Sequence, residues 1–314
     1  YTMLESSMVG HGTRIILHIK SNTQDDNFDD YLFDYKLRFL VKKYSDYIRY
    51  PIQMEVEKSR PKEGGEDNQF ETYYDIETLN SMVPLWKKSK SEITEEQYTQ
   101  FYQEKFYGQD KPMKTIHYSV EGLSSFQALL FIPERPPFNF FSADYEKGLQ
   151  LYSSGVLIMD KCAELIPDHF GFVRGIVDSQ DLSLNISREM LQQDRQLRNM
   201  AKSIEKKVRN ELLSMLNTER ENYEKFFKDF GLSLKFGLYN SFGRLKEELE
   251  DLLLFYSSTE KKLVTLKEYV SRMKEDQKYI YYVTGASVEK IEKLPQIELI
   301  RDKGFEILYM TDDI

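Results

Sequence analysis

RGIVDSQDLSLNISREMLQQ, residues 174 to 193, passes from an apolar strand through a polar loop into a helix. The strand reading covers Phe172–Asp178. Ser187 is the expected helix N-cap, because its hydroxyl can accept from an orphan backbone N–H of the first turn. From Arg188 to about Leu216 the pattern is helical: Leu197, Met200, Ile204, Val208, Leu212 and Met215 fall on one stripe. The α/β class itself is read from the strand–helix–strand order of residues 13–56, which suggests α/β layering.

Upstream, Thr13–Lys20 (TRIILHIK) reads as a strand. Asp29–Tyr44 reads as a helix with Phe33, Leu37, Leu40, Val41 and Tyr44 on one face. Ile48, Tyr50, Ile52, Met54 and Val56 alternate with polar residues, the period of a half-buried strand. Lys58–Gln69 is rich in Pro, Gly and charge and reads as a surface loop or hairpin tip. A helix is expected from Thr94, where Thr94 and Gln97 make a capping-box pattern, with Tyr98, Phe101, Tyr102 and Phe106 on its buried face. Strands follow at Thr115–Val120, Ser125–Ile132, Leu149–Tyr152 and Val156–Met159, the last two joined as a hairpin by Ser153, Ser154 and Gly155.

Downstream, Thr218 and Glu221 suggest a second capping box, opening a helix that should stop before Gly231, a good residue for a helix C-terminus. Arg244–Phe255 reads as a further helix with an acidic surface. Thr265–Asp276 (helix, with a Thr265/Glu268 box), Tyr279–Thr284 (strand), Ser287–Arg301 (helix) and Phe305–Met310 (strand) follow as a small α/β unit. Its strand–helix–strand connection is expected to be parallel and right-handed. The expected organisation is a larger two-layer α/β part over residues 1–215, a helical connector over 216–255, and a smaller three-layer α/β/α part over 256–314. No fixed-period repeat appears, which argues against a solenoid.

Composition bounds the function. At 314 residues and 40% hydrophobic content, the chain can bury more than one core. Lys and Arg number 43 against 52 Asp and Glu, and a net charge of −9 argues against a general nucleic-acid binder, which needs surplus cations for phosphates. The single cysteine, Cys162, excludes an intrachain disulfide framework and a thiolate metal cage. His11, His18, His117 and His169 show none of the short spacings of zinc or di-iron sites. No apolar run approaches the roughly 20 residues of a membrane span. A soluble, cytoplasmic protein is expected. The chain opens at Tyr1 with no methionine and no signal-like segment, which reads as a piece excised from something longer.

Walker A, GxGxxG, GxSxG and HExxH motifs are absent from the sequence. Gly285 stands between a strand and a helix start, where an ordinary turn is a better reading than an anion site. Glu247, Glu248, Glu250 and Asp251 read as solvated surface rather than an acid/base pair, and Asn185-Ile186-Ser187 matches a glycosylation sequon that nothing else supports. Arg188 is more informative. It falls in the first turn of its expected helix, where the macrodipole disfavours a cation. Such an arginine suits an anion supplied from elsewhere; pairing with an acidic neighbour such as Asp181, or simple exposure, stays open. Gln192 lies one turn on, on the same face.

Aromatic residues form a second candidate. Trp86 follows Pro84-Leu85 and precedes Lys87-Lys88, and Phe138, Phe140 and Phe141 follow Pro136-Pro137 in an expected loop. Such residues either mark an interaction surface or seal the local core, and both readings stay open.

Residues 178–193, Asp-Ser-Gln-Asp-Leu-Ser-Leu-Asn-Ile-Ser-Arg-Glu-Met-Leu-Gln-Gln, closely resemble the middle-domain loop of the heat shock protein 90 chaperones. The likeness extends to GTRIILHIK (12–20), PLW (84–86), LFIP (130–133) with RPPF (135–138), and YVSRMK (269–274). These dispersed motifs stand in the right order over nearly the whole chain, and they look most like the bacterial form.

The resemblance implies a homodimeric, ATP-dependent heat shock chaperone of three domains, of which this chain is the middle one. Its larger part would have a fold like ribosomal protein S5 domain 2. Arg188 matches the arginine that reaches the γ-phosphate of ATP held by the preceding domain. Gln192 matches a residue supporting that loop, and Asn185 lies on it. Trp86 and Phe138 match positions implicated in client contact and interdomain packing. ATP and magnesium would belong to the parent protein, with no metal held here, and the chain alone is expected to be inactive as an ATPase. The implied partners are its own amino-terminal ATPase and carboxy-terminal dimerisation domains, unfolded or partly folded clients, and co-chaperones, with neither nucleic acid nor membrane. The residues leave two alternatives: a stand-alone adaptor binding partners through its aromatic loops, and a small-molecule enzyme using Arg188 as an anion clamp.

Overall fold

Two runs of sequence, residues 1–46 with 50–80 and residues 47–49 with 81–314, form separate units. The computed structural model describes residues 11–61, 70–106, 108, 110–122, 124–182 and 195–312.

In the first unit, helix α1 (Asp34–Tyr44) follows a 3₁₀ turn at Phe28–Leu32, and none of its residues is fully buried. Strands β1 (Gln53–Pro61) and β2 (Phe70–Thr78) pair antiparallel in register from Gln53↔Thr78 to Pro61↔Phe70. The pairing starts later than the alternation from Ile48 suggests. It also takes Lys58 to Pro61 into the strand, leaving the rest of the expected 58–69 loop outside the described residues. Arg38 on α1 grips both carboxylate oxygens of Glu77 on β2, at 3.0 and 2.7 Å. Thr13–Lys20 does not form the expected strand, and Ile15, Ile16 and Leu17 are exposed. A strand needs a ladder partner, and among the described residues no strand pairs with this one.

The second unit is built on a five-stranded sheet of β3 (Lys114–Val120), β4 (Phe126–Ile132), β5 (Leu149–Ser153), β6 (Val156–Cys162) and β7 (Arg174–Asp178). Its order is β3-β4-β7-β5-β6, antiparallel throughout except between β5 and β7. The β5–β6 turn has Ser154 and Gly155 both at positive φ (52° and 84°), the primed geometry that matches strand twist. Gly155 is required there twice over, since a Cβ would fall 2.3 Å from the Tyr47 carbonyl oxygen.

Strand β4 is buried on both faces from Ala128 to Ile132, so the sheet must be covered twice. Ala128, Leu130 and Ile132 face helices α3 (Arg195–Thr218) and α4 (Arg220–Asn240), while Leu129 and Phe131 face helix α2 (Glu95–Phe106) and Trp86. The α/β class read from the sequence is the one observed, with a second helical cover added to the larger sheet. The box at the start of α2 forms as read, Gln97 N–H donating to Thr94 Oγ1 at 3.3 Å and Thr94 N–H to Gln97 Oε1 at 3.0 Å. All six residues of the predicted α3 stripe are buried.

Two helix boundaries differ from expectation. Thr218 opens no helix; its hydroxyl bonds back to the Ser214 carbonyl at 2.8 Å and α3 runs to its end there. Helix α4 does not stop at Gly231 but continues to Asn240. Its glycines serve close packing: a Cβ on Gly231 would meet the Phe227 ring at 2.9 Å, and one on Gly237 would meet His169 Cβ at 2.5 Å.

The expected helix over 244–255 breaks into α5 (Lys246–Leu249), a 3₁₀ turn and strand β8 (Phe255–Ser257). Leu252, Leu253 and Leu254 are all buried, and three consecutive residues cannot share one helical face. With β9 (Leu263–Val264), β10 (Tyr281–Thr284) and β11 (Ile307–Met310), β8 forms a four-stranded sheet ordered β10-β11-β8-β9. The β10–β11 pair is parallel, as expected. Helix α6 (Leu266–Ser271) starts at its Thr265/Glu268 box and buries Tyr269 against Leu308. On the other face, α7 (Val288–Ile291) and α8 (Glu298–Asp302) pack near Ile307 and Tyr309. The single helix read over 287–301 is interrupted by Pro295, which opens a 3₁₀ turn between them.

Candidate functional site

Strand β7 ends at Asp178, and Ser179, Asp181 and Leu182 after it are each held by a hydrogen bond. Ser179 N–H donates to the Tyr152 carbonyl at 3.1 Å and Ser179 Oγ to the Ser125 carbonyl at 2.7 Å. Ser125 N–H donates to Asp181 Oδ2 at 2.8 Å, and Ser153 Oγ to the Leu182 carbonyl at 2.6 Å. Asp181 is thus engaged by the backbone of the β3–β4 connection. On the far side of residues 183–194 the chain enters α3, whose Leu197 and Met200 are buried in the core. Arg188, Gln192, Asn185 and the expected N-cap Ser187 lie outside the described residues.

A polar chain runs from this foot into the sheet. Asp178 is 3% exposed; its Oδ2 accepts from Trp86 Nε1 at 3.0 Å and pairs with Lys87 Nζ at 2.8 Å. The Trp86 carbonyl lies 2.9 Å from His117 Nε2, and His117 Nδ1 lies 2.7 Å from the Tyr98 hydroxyl. A carbonyl can only accept, so Nε2 carries the proton and Nδ1 accepts from Tyr98. Burial holds the imidazole below its ordinary value near 6.5, opposed by the bond to the Trp86 carbonyl. Burial likewise raises the Tyr98 phenol. Both groups are therefore neutral in the range where the chain would work.

Trp86 is 1% exposed, with its ring 4.6 Å from Tyr47 and 5.3 Å from Tyr152, centroid to centroid. Of the two readings left open for Trp86, its burial favours the second: it seals the core of the α2 face, since its N–H finds a carboxylate and its ring a cage of aromatics. The Phe138–Phe141 loop divides instead. Phe140 is buried against Phe141, Tyr145 and Phe230, whereas Phe138 is fully exposed at 109% of its reference area and Phe141 is exposed beside it.

Other candidates fall to plain chemistry. Burial, with the neighbouring Glu164 charge, raises the Cys162 thiol to about 12, so it is inert as a nucleophile. Gly285 is packed against Ile291, and Ser287 Oγ already accepts the Lys290 N–H in the first turn, as an ordinary N-cap does. Asp251 in the acidic cluster pairs with Lys267 at 2.8 Å. Among the described residues no group of three or more His, Cys, Asp or Glu could hold a metal, and no helix is long and apolar enough to cross a membrane.

The sequence reading overlooked Lys87 as a partner, along with Asp178, His117 and Tyr98. One signal was available: an acidic residue directly after the apolar run Ile176-Val177 of a buried strand is costly unless paired.

Comparison with known proteins follows the same lines. The family profile described as Hsp90 protein matches residues 66–314. The chain is 59% identical over 314 residues to the chaperone protein HtpG of Clostridium perfringens and 60% identical to that of Bacillus subtilis, covering all of this chain and 50% of each relative. Among solved structures, the middle domain of a heat shock protein from Plasmodium falciparum superposes with a TM-score of 0.65 at 31% identity, covering 73% of this chain and 90% of that one. The fold is that of a heat shock protein middle domain, in the α/β class. The chain belongs to the Hsp90 family, and it spans about half the length of the curated relatives it matches.

Proposed function

We propose that this chain works as the middle segment of an ATP-dependent molecular chaperone, acting in the cytoplasm beside an amino-terminal ATPase domain and a carboxy-terminal dimerisation domain. The observation that carries the reading is identity of 59–60% to HtpG chaperones over all 314 residues of the chain. In this reading ATP and magnesium are held upstream, and the part played here is to bring Arg188 to the γ-phosphate. A guanidinium suits that task, being always charged and able to bind phosphate oxygens bidentately. The bonds between Asp178 and Leu182 support it, since a cation serves a transferring phosphoryl group only when its approach is fixed. Gln192 and Asn185 would brace the same loop. Phe138 would lend an apolar contact to unfolded clients; its full exposure supports this, while the buried Trp86 serves the core instead.

Arg188→Ala in the full-length protein tests the catalytic part. The expected result is a folded protein that binds ATP with unchanged affinity and loses most of its turnover. Normal hydrolysis by that variant would refute the assignment.

A further inference from the structure

Burying a carboxylate is expensive, and it is tolerated when every lone pair is met. Asp178 is met only on one side. Trp86 Nε1 and Lys87 Nζ both address Oδ2, while among the described residues no donor reaches the buried Oδ1. Stability alone would be served as well by an apolar residue at the end of an apolar strand. The cost falls at the residue where β7 gives way to the anchored foot, and it links that foot to Trp86 across 92 residues of sequence. Lys87 is part-buried, its side chain 29% exposed, so its charge is aimed inward at Asp178.

We infer that Asp178, held by the Trp86 indole N–H and the Lys87 ammonium, is a positioning residue for ATP hydrolysis, fixing where the loop bearing Arg188 leaves the sheet. The inference rests on the proposed role of Arg188. It adds a residue that touches no nucleotide and works through the direction of the chain. Because the Trp86 carbonyl is itself held by His117, and His117 by Tyr98 on α2, Asp178 is tied through Trp86 to the helix that covers the same face of the sheet. Misdirecting the loop leaves nucleotide affinity intact, since the nucleotide is held elsewhere, and lowers only the chemical step.

The test is steady-state ATP hydrolysis by the full-length protein, with kcat and KM separated and folding checked by thermal unfolding. Asp178→Asn, which keeps the shape and removes the charge facing Lys87, should lower kcat by about 10- to 100-fold with KM unchanged, the scale of a small misplacement. Trp86→Phe keeps an aromatic ring and removes the indole N–H, and should lower kcat in the same sense. Lys87→Arg, which preserves a cationic donor, should retain most of the activity that Lys87→Met loses. Normal kcat in a folded Asp178→Asn protein overturns the inference. Should Asp178→Asn fail to fold, Trp86→Phe decides, and its normal kcat overturns it equally. Arg188→Ala is run alongside. If it is inactive while the Asp178 and Trp86 variants are normal, only the positioning inference fails. If it turns over normally, the proposed role of Arg188 fails and the inference with it.

Discussion

Phe138 and Phe140 stand two residues apart in one loop, and their substitutions should have opposite consequences. Phe138 makes no use of its ring in the fold, being fully exposed. Replacing it by Ser should move stability by no more than about 0.5 kcal/mol, the usual range for a surface change. Phe140 is 8% exposed, with aromatic centroids at 4.8 Å (Phe141), 4.9 Å (Tyr145) and 5.6 Å (Phe230). Its truncation to Ala should cost about 3–5 kcal/mol through lost transfer energy and the cavity left behind. Client binding should invert the order. A phenylalanine passing from water into an apolar contact contributes about 1.5–3 kcal/mol, so Phe138→Ser should weaken capture of an unfolded protein by about 10- to 100-fold at 1.4 kcal/mol per decade. Urea unfolding of the chain measures the first quantity. Fluorescence anisotropy of a labelled, permanently unfolded protein titrated with the full-length chaperone measures the second. Unchanged client affinity for Phe138→Ser, or a destabilisation above about 1 kcal/mol, would refute the division of the loop into an anchor and a contact.

Acid should loosen the α2 face before it reaches the carboxylates. Burial depresses the His117 imidazole, so the unfolded chain takes up the proton first; the stability it contributes is complete above its ordinary value near 6.5 and is lost as pH falls below that. Replacing His117 by Gln should flatten the dependence of the urea midpoint on pH between about 7.5 and 5.5, whereas an unchanged slope would remove His117 as its source. Gly237→Ala offers a second check on packing. Helix propensity alone would favour alanine by about 1 kcal/mol, but the new Cβ would lie 2.5 Å from His169 Cβ. Overpacking costs about 1–3 kcal/mol, so the variant should be neutral to destabilised in urea unfolding, and a clear gain in stability would show that the α4–His169 contact is loose.

Features set by neighbouring residues were legible in the chain. The Thr94/Gln97 and Thr265/Glu268 boxes, the α3 stripe and the Ser154-Gly155 turn are each decided within a few residues, and each formed as read. Features set by distant partners were not. Thr13–Lys20 has the composition of a strand, yet a strand is defined by its neighbour. Gly231 has the chemistry of a helix stop, but continued burial of Leu234 on the same face carries α4 onward. Strands β8 and β9, at three and two residues, are too short for any period to register. The burial of Trp86 depends on Asp178 and Tyr152 as well as Tyr47, and no local pattern could bring those together. At the candidate site the motif carrying Arg188 was readable, while the chain of bonds from Tyr98 to Asp178 was not.

The order of strands also governs how the sheet can be made during synthesis. Strand β7 is the last of the five to emerge, yet it lies in the middle, pairing with β4 on one side and β5 on the other. A ribosome that has released Cys162 has supplied two hairpins, β3–β4 and β5–β6, with nothing to join them. Each then presents a raw edge, and the apolar edge of β4 is the more hazardous for mispairing. Arrival of residues 174 to 178 closes both edges in one event, and the same event brings Asp178 beside Trp86 and Lys87. The anchored segment from Asp178 to Leu182 is thus laid by the step that completes the sheet, so a half-assembled molecule would lack the bonds that hold it.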